Sequence, residues 1–344
     1  MSGRLHAAPR AHAGVVSQTL LDPNADVLAC PIPLLRARTV SRPGMLVTRG
    51  ELVVVKYGVY APATLWRDLA PWDRYLARVH AAALTMPGLV FSHESAAVLL
   101  GLPIFGEPSD VHVLRDPTAT SGSWSGVRTH TAAVPRETIT RGGLQLTSLA
   151  ETTVDVARSR HRAIGLAVVD SALRTECALS VEQLVAMNEA RASSRGRRHA
   201  RWSLHRGNPA AARALESVSR AVVEFLGFAE PELQVPFDLD GRHYFVDCYW
   251  PDARIVGEAD GRGKYDGAYG DPGRTVYEEK RREDSIRRVV NGFARWGWAD
   301  VRDPSRLRRI LLATGLRPDT AGDPEPLATI AAALNGHRSD RETG

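Results

Sequence analysis

Cysteine is scarce in this chain, with Cys30, Cys177 and Cys248 as the three examples in 344 residues. The number is odd, and no two stand at metal-ligand spacing. That argues against a disulfide framework and a cysteine zinc site, and fits a reducing, cytoplasmic compartment. No apolar run approaches the roughly 18 residues that a membrane-spanning helix needs. Residues 1–14, MSGRLHAAPRAHAG, carry basic residues but no apolar stretch behind them. They read as disordered rather than as a signal peptide. Internal repeats are absent. Gly261-Arg262-Gly263-Lys264 is no dinucleotide loop, because no helix-opening third glycine follows. It is no calcium loop either, because Arg262 and Lys264 fall at ligand positions.

What is present is positive charge, at a formal +5 and an isoelectric point near 9.3. That balance favours a polyanionic partner. The length allows two or three domains. The most basic stretch, residues 191–206, reads RASSRGRRHARWSLHR and contains no acid. It reads as a solvated linker or helix end.

The stretch richest in chemistry is YFVDCYWPDARIVGEADGRGKY, Tyr244 to Tyr265. Asp247 lies near the end of one strand-like run; Glu258 and Asp260 close the next. Strand side chains alternate, so Glu258 and Asp260 point to one side. A hairpin through Pro251-Asp252 brings Asp247 beside them. Converging carboxylates repel unless a hard cation lies between them, and such a site suits phosphodiester hydrolysis. The bland alternative is a polar strand end closing in an Asp-Gly turn.

The surrounding pattern predicts helix at Ala212–Leu226, strands at Glu232–Asp238, His243–Trp250 and Arg254–Asp260, helix at Val276–Trp296, and a strand at Trp298–Arg302. A small helix at Ser305–Thr314 and a polar tail follow. With LES at Leu215–Ser217, PELQV at Pro231–Val235, VDCYWPDARIVGEADG at Val246–Gly261, KRREDSIRR at Lys280–Arg288 and GW with VR at Gly297–Arg302, this third of the chain resembles the PD-(D/E)xK nucleases. Within them it is most similar to the very-short-patch-repair-like branch. The resemblance implies Glu216 as the helical acid, Asp247 and Glu258 as metal-binding carboxylates, the Ala259 carbonyl and Asp260 as further ligands, and Mg²⁺ (or Mn²⁺) as cofactor. The usual lysine two places after the glutamate is Asp260 here, so Lys264 or Lys280 is the cation expected in its stead. The helix with Lys280, Arg281 and Arg288 is expected either to track phosphates or to be an ion-paired solvated face.

Upstream, short strands turn near Lys56-Tyr57-Gly58, and helices are predicted at Trp66–Met86, at residues 90–101 with Ser92 as cap, and at Leu149–Leu173. Strands are predicted at Val111–Leu114 and Val127–Thr131. LVTRGELVVVKYGVYAP (Leu46–Pro62) and SHESAAVLLGLP (Ser92–Pro103) resemble the AbiEi-type antitoxins. That implies a winged helix-turn-helix with Val53–Tyr60 as wing, although Pro31, Pro33 and Pro43 fall where that family has helices. His93 and Glu94 read as capping or packing residues, and His112 and His130 as strand residues without a ligand partner at useful spacing.

The expected fold is therefore α/β (α+β overall). It comprises a winged-helix-like segment (15–62), an α/β middle domain (63–190), a basic linker (191–211), a restriction-endonuclease-like αβββαβ core (212–316) and a polar tail (317–344). Catalysis is expected at Glu216, Asp247, Glu258 and Lys264, with metal at Asp247, Glu258, Ala259 and Asp260. Nucleic-acid contact is expected at Arg49, Lys56, Arg197, Arg198, Lys280, Arg281 and Arg288. Double-stranded DNA is the expected partner of a metal-dependent endonuclease. The alternative is an antitoxin-like regulator with a silent nuclease fold and a toxin partner. No membrane partner is expected, and a homodimer stays open.

Overall fold

The computed structural model describes residues 27–116, 118, 120–260 and 272–336, with the side chains of 272–277 left out. The expected leader 1–14, the start of the winged segment, Lys264 and the end of the tail lie outside the described residues. The molecule is mixed α/β with three sheets among those residues. No described helix is long and apolar enough to cross a membrane.

The first sheet is small. It joins β1 (Leu35–Arg36), β2 (Leu52–Lys56) and β3 (Val59–Pro62) in the order β1-β3-β2, with α1 (Pro43–Thr48) between the first two strands. The β2–β3 turn is as the sequence predicts, with Gly58 at φ +78° and Tyr57 fully exposed at the tip. The helix predicted over Trp66–Met86 is instead two, α2 (Ala63–Asp68) and α3 (Pro71–Thr85). Pro71 has no N–H to continue the first helix and suits the opening turn of the second.

The second sheet has six strands: β4 (Val90–Phe91), β5 (Val111–Arg115), β6 (Gly122–Trp124), β7 (Val127–Thr131), β8 (Thr138–Arg141) and β9 (Leu144–Thr147), in the order β6-β7-β5-β4-β9-β8. The segment 90–101, expected as one helix, opens as strand β4. Only then does α4 (His93–Leu99) begin, with Ser92 at the cap position. The region 149–173 also splits, into α5 (Leu149–Ser159) and α6 (Arg162–Thr175). The break falls at His161, whose Nδ1 accepts the Ala163 N–H at 3.2 Å and so starts a new helix.

Next come α7 (Val181–Ala190) and α8 (Arg197–His205). Of the basic stretch expected as solvated linker or helix end, residues 197–205 are thus helix with a buried face. Ala200 and Leu204 of α8 are buried with Val154, Val169 and Leu184. The loop before α8 is clamped by Arg158, which donates to the Ser193 and Arg195 carbonyls at 2.5 Å. Gly196 is required there: at φ +70°, a Cβ would sit 2.2 Å from the Arg158 carbonyl oxygen.

The last unit contains α9 (Ala214–Phe225), β10 (Glu232–Leu239), β11 (Arg242–Trp250), β12 (Ile255–Ala259), α10 (Pro272–Arg287), β13 (Gly292–Trp296), α11 (Trp298–Arg302), α12 (Pro304–Ala313) and α13 (Pro324–Leu334). Its sheet runs β10-β11-β12-β13, antiparallel except that β13 lies parallel to β12. Two expectations are corrected. The helix predicted to Trp296 stops at Arg287, and the strand predicted at Trp298–Arg302 is helix α11. The strand lies earlier because Phe293, Ala294 and Trp296 find burial beside β12. The tail is not wholly polar in behaviour either: α13 buries Ile330, Ala333 and Leu334.

One core cluster contains Val168 and Ala172 of α6 together with Leu215, Val218 and Val222 of α9. The middle and C-terminal regions therefore share a core across the supposed linker. Buried Arg220 of α9 and Asp170 of α6 reinforce it, at 3.2 Å. On the far side of the four-stranded sheet, Val246, Val256 and Phe293 pack with Ile286 of α10.

Candidate functional site

Alternation along β10 and β11 switches at one place on both strands. Leu233 and its partner Cys248 pack in the core that includes α9. Two residues further on, Val235 and its partner Val246 pack in the opposite cluster with Ile286. Residues two apart in a regular strand share a face, so the strands must twist between them. Gln234 provides the twist on β10 through a left-handed φ of +51°. Asp247 is the matching residue on β11.

The twist brings two acids and an amide side chain from three elements together. Glu216, in the first turn of α9, is buried, and its Oε2 accepts the Ala212 N–H at 2.8 Å. The Gln234 amide donates to Glu216 Oε2 and to Asp247 Oδ1, at 3.4 Å each. Asp247 Oδ2 accepts the Ala259 N–H at 2.8 Å, tying β11 to β12 where their ladder ends. Burial, and then the Asp247 charge, push the Glu216 carboxyl up to about 7. Cys248 lies beside them, its thiol pushed well up by burial first and then by Asp247, Glu216 and Glu258.

Glu258 and Asp260 both face α10, as a period of two requires, and each meets a guanidinium. Arg282 Nη2 donates to Glu258 Oε1 at 2.7 Å and to the Phe245 carbonyl at 2.6 Å. Burial works against the Arg282 charge, but Glu258, Glu279 and Asp247 together outweigh it and hold the guanidinium above its ordinary value. Arg295, from the neighbouring strand, lies 2.9 Å from Asp260 and also contacts Glu279 and Glu283. The structure thus joins Glu216, Gln234, Asp247 and the Ala259 amide in one network, and pairs Glu258 and Asp260 with arginines.

The expected nucleic-acid residues fall into three places. Arg49 is exposed after α1, while Lys56 donates to the Ser125 carbonyl at 3.0 Å. Arg198 is exposed, whereas Arg197 is half-buried and donates to the Arg191 carbonyl at 2.5 Å. Lys280, Arg281 and Arg288 line one cleft of about 570 Å³ with Asp240, Asp284 and Ser285. Arg288 is ion-paired there to Asp240 at 2.5 Å.

Sequence reasoning missed Gln234, Arg282 and Arg295. Gln234 stands inside the quoted PELQV, but its role depends on a backbone angle. The two arginines lack any local signal, since their partners come from across the sheet. A further expectation is overturned. Among the described residues, the group that gathers three ligand atoms within 4.8 Å of one another is His93, His112 and His130, not the acids. The two strand histidines therefore do have partners at ligand distance.

In comparison with known proteins, the chain is 34% identical over 219 residues to the uncharacterized protein Rv2248 of Mycobacterium tuberculosis (strain ATCC 25618 / H37Rv). It matches the uncharacterized protein MT2308 of M. tuberculosis (strain CDC 1551 / Oshkosh) equally, the match covering 62% of this chain and 74% of the relative. No family model matches the chain. No solved structure matches it.

Proposed function

The chain belongs to the family of the mycobacterial proteins Rv2248 and MT2308, and from that premise we propose that it is a DNA-binding protein whose acid cluster hydrolyses phosphodiester bonds with a divalent cation. The observation that carries this reading is the Glu216–Gln234–Asp247 network, in which one carboxyl is raised to about 7 by burial and by the other acid. A buried acid and a half-buried one so arranged repel each other, and a hard cation between them reverses that repulsion. Asp247 and Glu216 are the residues that fit it. Glu258, the residue after the last position of β12 paired with β11, joins them when Arg282 swings aside. Mg²⁺ or Mn²⁺ supplies Lewis acidity and a more acidic water there.

The chain's own residues supply the rest. Glu216, joined to Asp247 through Gln234, is the group placed to accept a proton from the attacking water. Gln234 fixes the two acids relative to each other. Arg295, beside Asp260, brings positive charge where the related nucleases have lysine. Lys280, Arg281 and Arg288 hold the phosphate backbone, which positions a duplex without reading its sequence. Element order supports the reading too: α9, three antiparallel strands, α10 and a parallel β13 follow one another in the order αβββαβ. A DNA-acting role places the protein in the cytoplasm, where Cys30, Cys177 and Cys248 stay reduced.

The Arg282–Glu258 and Arg295–Asp260 pairs favour a second reading, a regulator with a silent nuclease fold and a toxin partner. Supercoiled plasmid incubated with Mg²⁺, Mn²⁺ or EDTA separates the two. Metal-dependent nicking, lost in Asp247→Asn, is the expected result. Binding to duplex DNA at low salt without cutting selects the regulator, and absence of binding there removes both.

A further inference from the structure

His93 opens α4, His112 lies on β5 and His130 on β7, so one helix and two strands of the six-stranded sheet contribute one imidazole each. β5 and β7 run parallel with Leu114 opposite His130, which places His112 and His130 on one face, offset by two residues. Their rings lie 5.1 Å apart, and His112 Nδ1 is 2.9 Å from His130 Nε2. His93 completes the set by stacking on His130 at 3.8 Å between centroids. It does so from a left-handed φ of +49°, a conformation non-glycine residues adopt rarely and usually where function holds them.

Carboxylates stand behind the rings. Glu94 Oε2 lies 3.7 Å from His112 Nε2, the nitrogen turned away from His130. Asp155 Oδ2 lies 3.8 Å from His93 Nδ1, and the Ser92 hydroxyl is 3.1 Å from the same nitrogen. Both acids are buried and anchored in turn: Glu94 by Arg160 at 3.1 Å, Asp155 by Arg136 and Arg191 at 3.0 Å each. An outer layer of carboxylates that takes the second N–H of each imidazole is the usual support of a histidine metal site. With these carboxylates at ion-pair distance on one side of the rings, Nδ1 of His112 and Nε2 of His93 are the nitrogens left on the other side.

We propose that His93, His112 and His130 bind a zinc-class divalent ion through His93 Nε2, His112 Nδ1 and His130 Nε2. Imidazoles select zinc and its transition-metal neighbours over Mg²⁺. Tetrahedral Zn–N bonds put nitrogens roughly 3.3 Å apart, within the span these ligand atoms already cover. Three imidazoles leave the fourth position for water or for an oxygen ligand. The site is distinct from the acid cluster, lies in another sheet, and does not depend on the nuclease reading.

The test uses the full chain, stripped with EDTA and dialysed. Zn²⁺ is expected to bind one equivalent by calorimetry and to raise the unfolding midpoint in a way that His130→Gln removes, whereas any Mg²⁺ binding is the same in wild type and in His130→Gln. Co²⁺ is expected to give a visible absorption band of tetrahedral strength. His130→Gln, at a half-exposed position, should lower Zn²⁺ affinity at least tenfold and lose the Co²⁺ band with its circular dichroism unchanged. The proposal is overturned if wild type gives no band, or if His130→Gln and His112→Gln bind Zn²⁺ like wild type. Should neither variant fold, the wild-type Co²⁺ spectrum alone decides.

Discussion

Replacing Arg220 by methionine removes the cation from one of the most deeply buried ion pairs in the molecule. Asp170 is fully buried and Arg220 is 3% exposed. The guanidinium meets both Asp170 oxygens at 3.2 Å, the Arg206 carbonyl at 2.7 Å and Glu230 at 3.0 Å. In the variant, the Asp170 carboxylate keeps the Asn208 N–H at 2.8 Å but no paired cation of that kind. Breaking such a pair from one side costs about 3–5 kcal/mol. Even with Arg220 in place, burial pushes Asp170 up to about 6, so desolvation exceeds the attraction. A double variant, Asp170→Leu with Arg220→Met, should therefore recover most of the loss. The single variant's deficit should also shrink as pH falls from 7 towards 5. Without Arg220, which holds the value down, folded Asp170 takes up its proton at a higher pH than the about 6 of wild type, so on the way down to about pH 6 the variant gains stability that wild type does not yet gain. Urea unfolding followed by tryptophan fluorescence measures all three. An Arg220→Met midpoint within about 1 kcal/mol of wild type at pH 7, or a double variant no better than the single, refutes the reasoning. Two separate transitions, with only one shifted, would contradict the shared core of α6 and α9.

Two further outcomes are expected. Gly257→Ala should destabilise by about 1–3 kcal/mol or more, because its Cβ would lie 2.4 Å from the Trp296 ring and 3.1 Å from Trp250. Neither indole can yield, since their N–H groups are bonded at 2.8 Å to Ser219 and the Ala229 carbonyl; a thermal midpoint unchanged from wild type would contradict this. His161 should make the fold acid-sensitive: burial holds its folded value at about 4 against an ordinary 6.5, and its Nδ1 must stay unprotonated to cap α6. The unfolded chain binds the proton first, so stability falls as pH drops through that window, by up to about 3 kcal/mol. Midpoints at pH 7 and 5 should differ more in wild type than in His161→Gln, and equal differences would exclude His161 as the cause.

The strands β10, β11 and β12 were legible because their apolar alternation is local and turns at Gly241 and Pro251 bound them. β13 was not, because Phe293-Ala-Arg-Trp continues the spacing of the preceding helix, and only burial beside β12 makes it a strand. Helix α8 was hidden by its arginines; Ala200 and Leu204 alone mark its inner face, and what they pack on lies in α5, α6 and α7. Glu216, Asp247, Glu258 and Asp260 could be nominated as chemical types, but their partners could not. Gln234 acts through a backbone twist, and Arg282 and Arg295 reach across the sheet. The histidine cluster was invisible because positions 93, 112 and 130 share no helical or strand period. Sheet register unites His112 and His130, and the start of α4 after β4 adds His93.

The twist at Gln234 also bears on how the protein behaves in a crowd. β10 is an outer strand of its sheet, and outer strands invite pairing with other chains. A docking strand needs an even row of donors and acceptors over several residues. Here that row is bent at Gln234 and lacks a donor at Pro236, two positions on. The feature that gathers the acids therefore also spoils this edge as a template, and guards against fibrillar stacking and strand exchange through it.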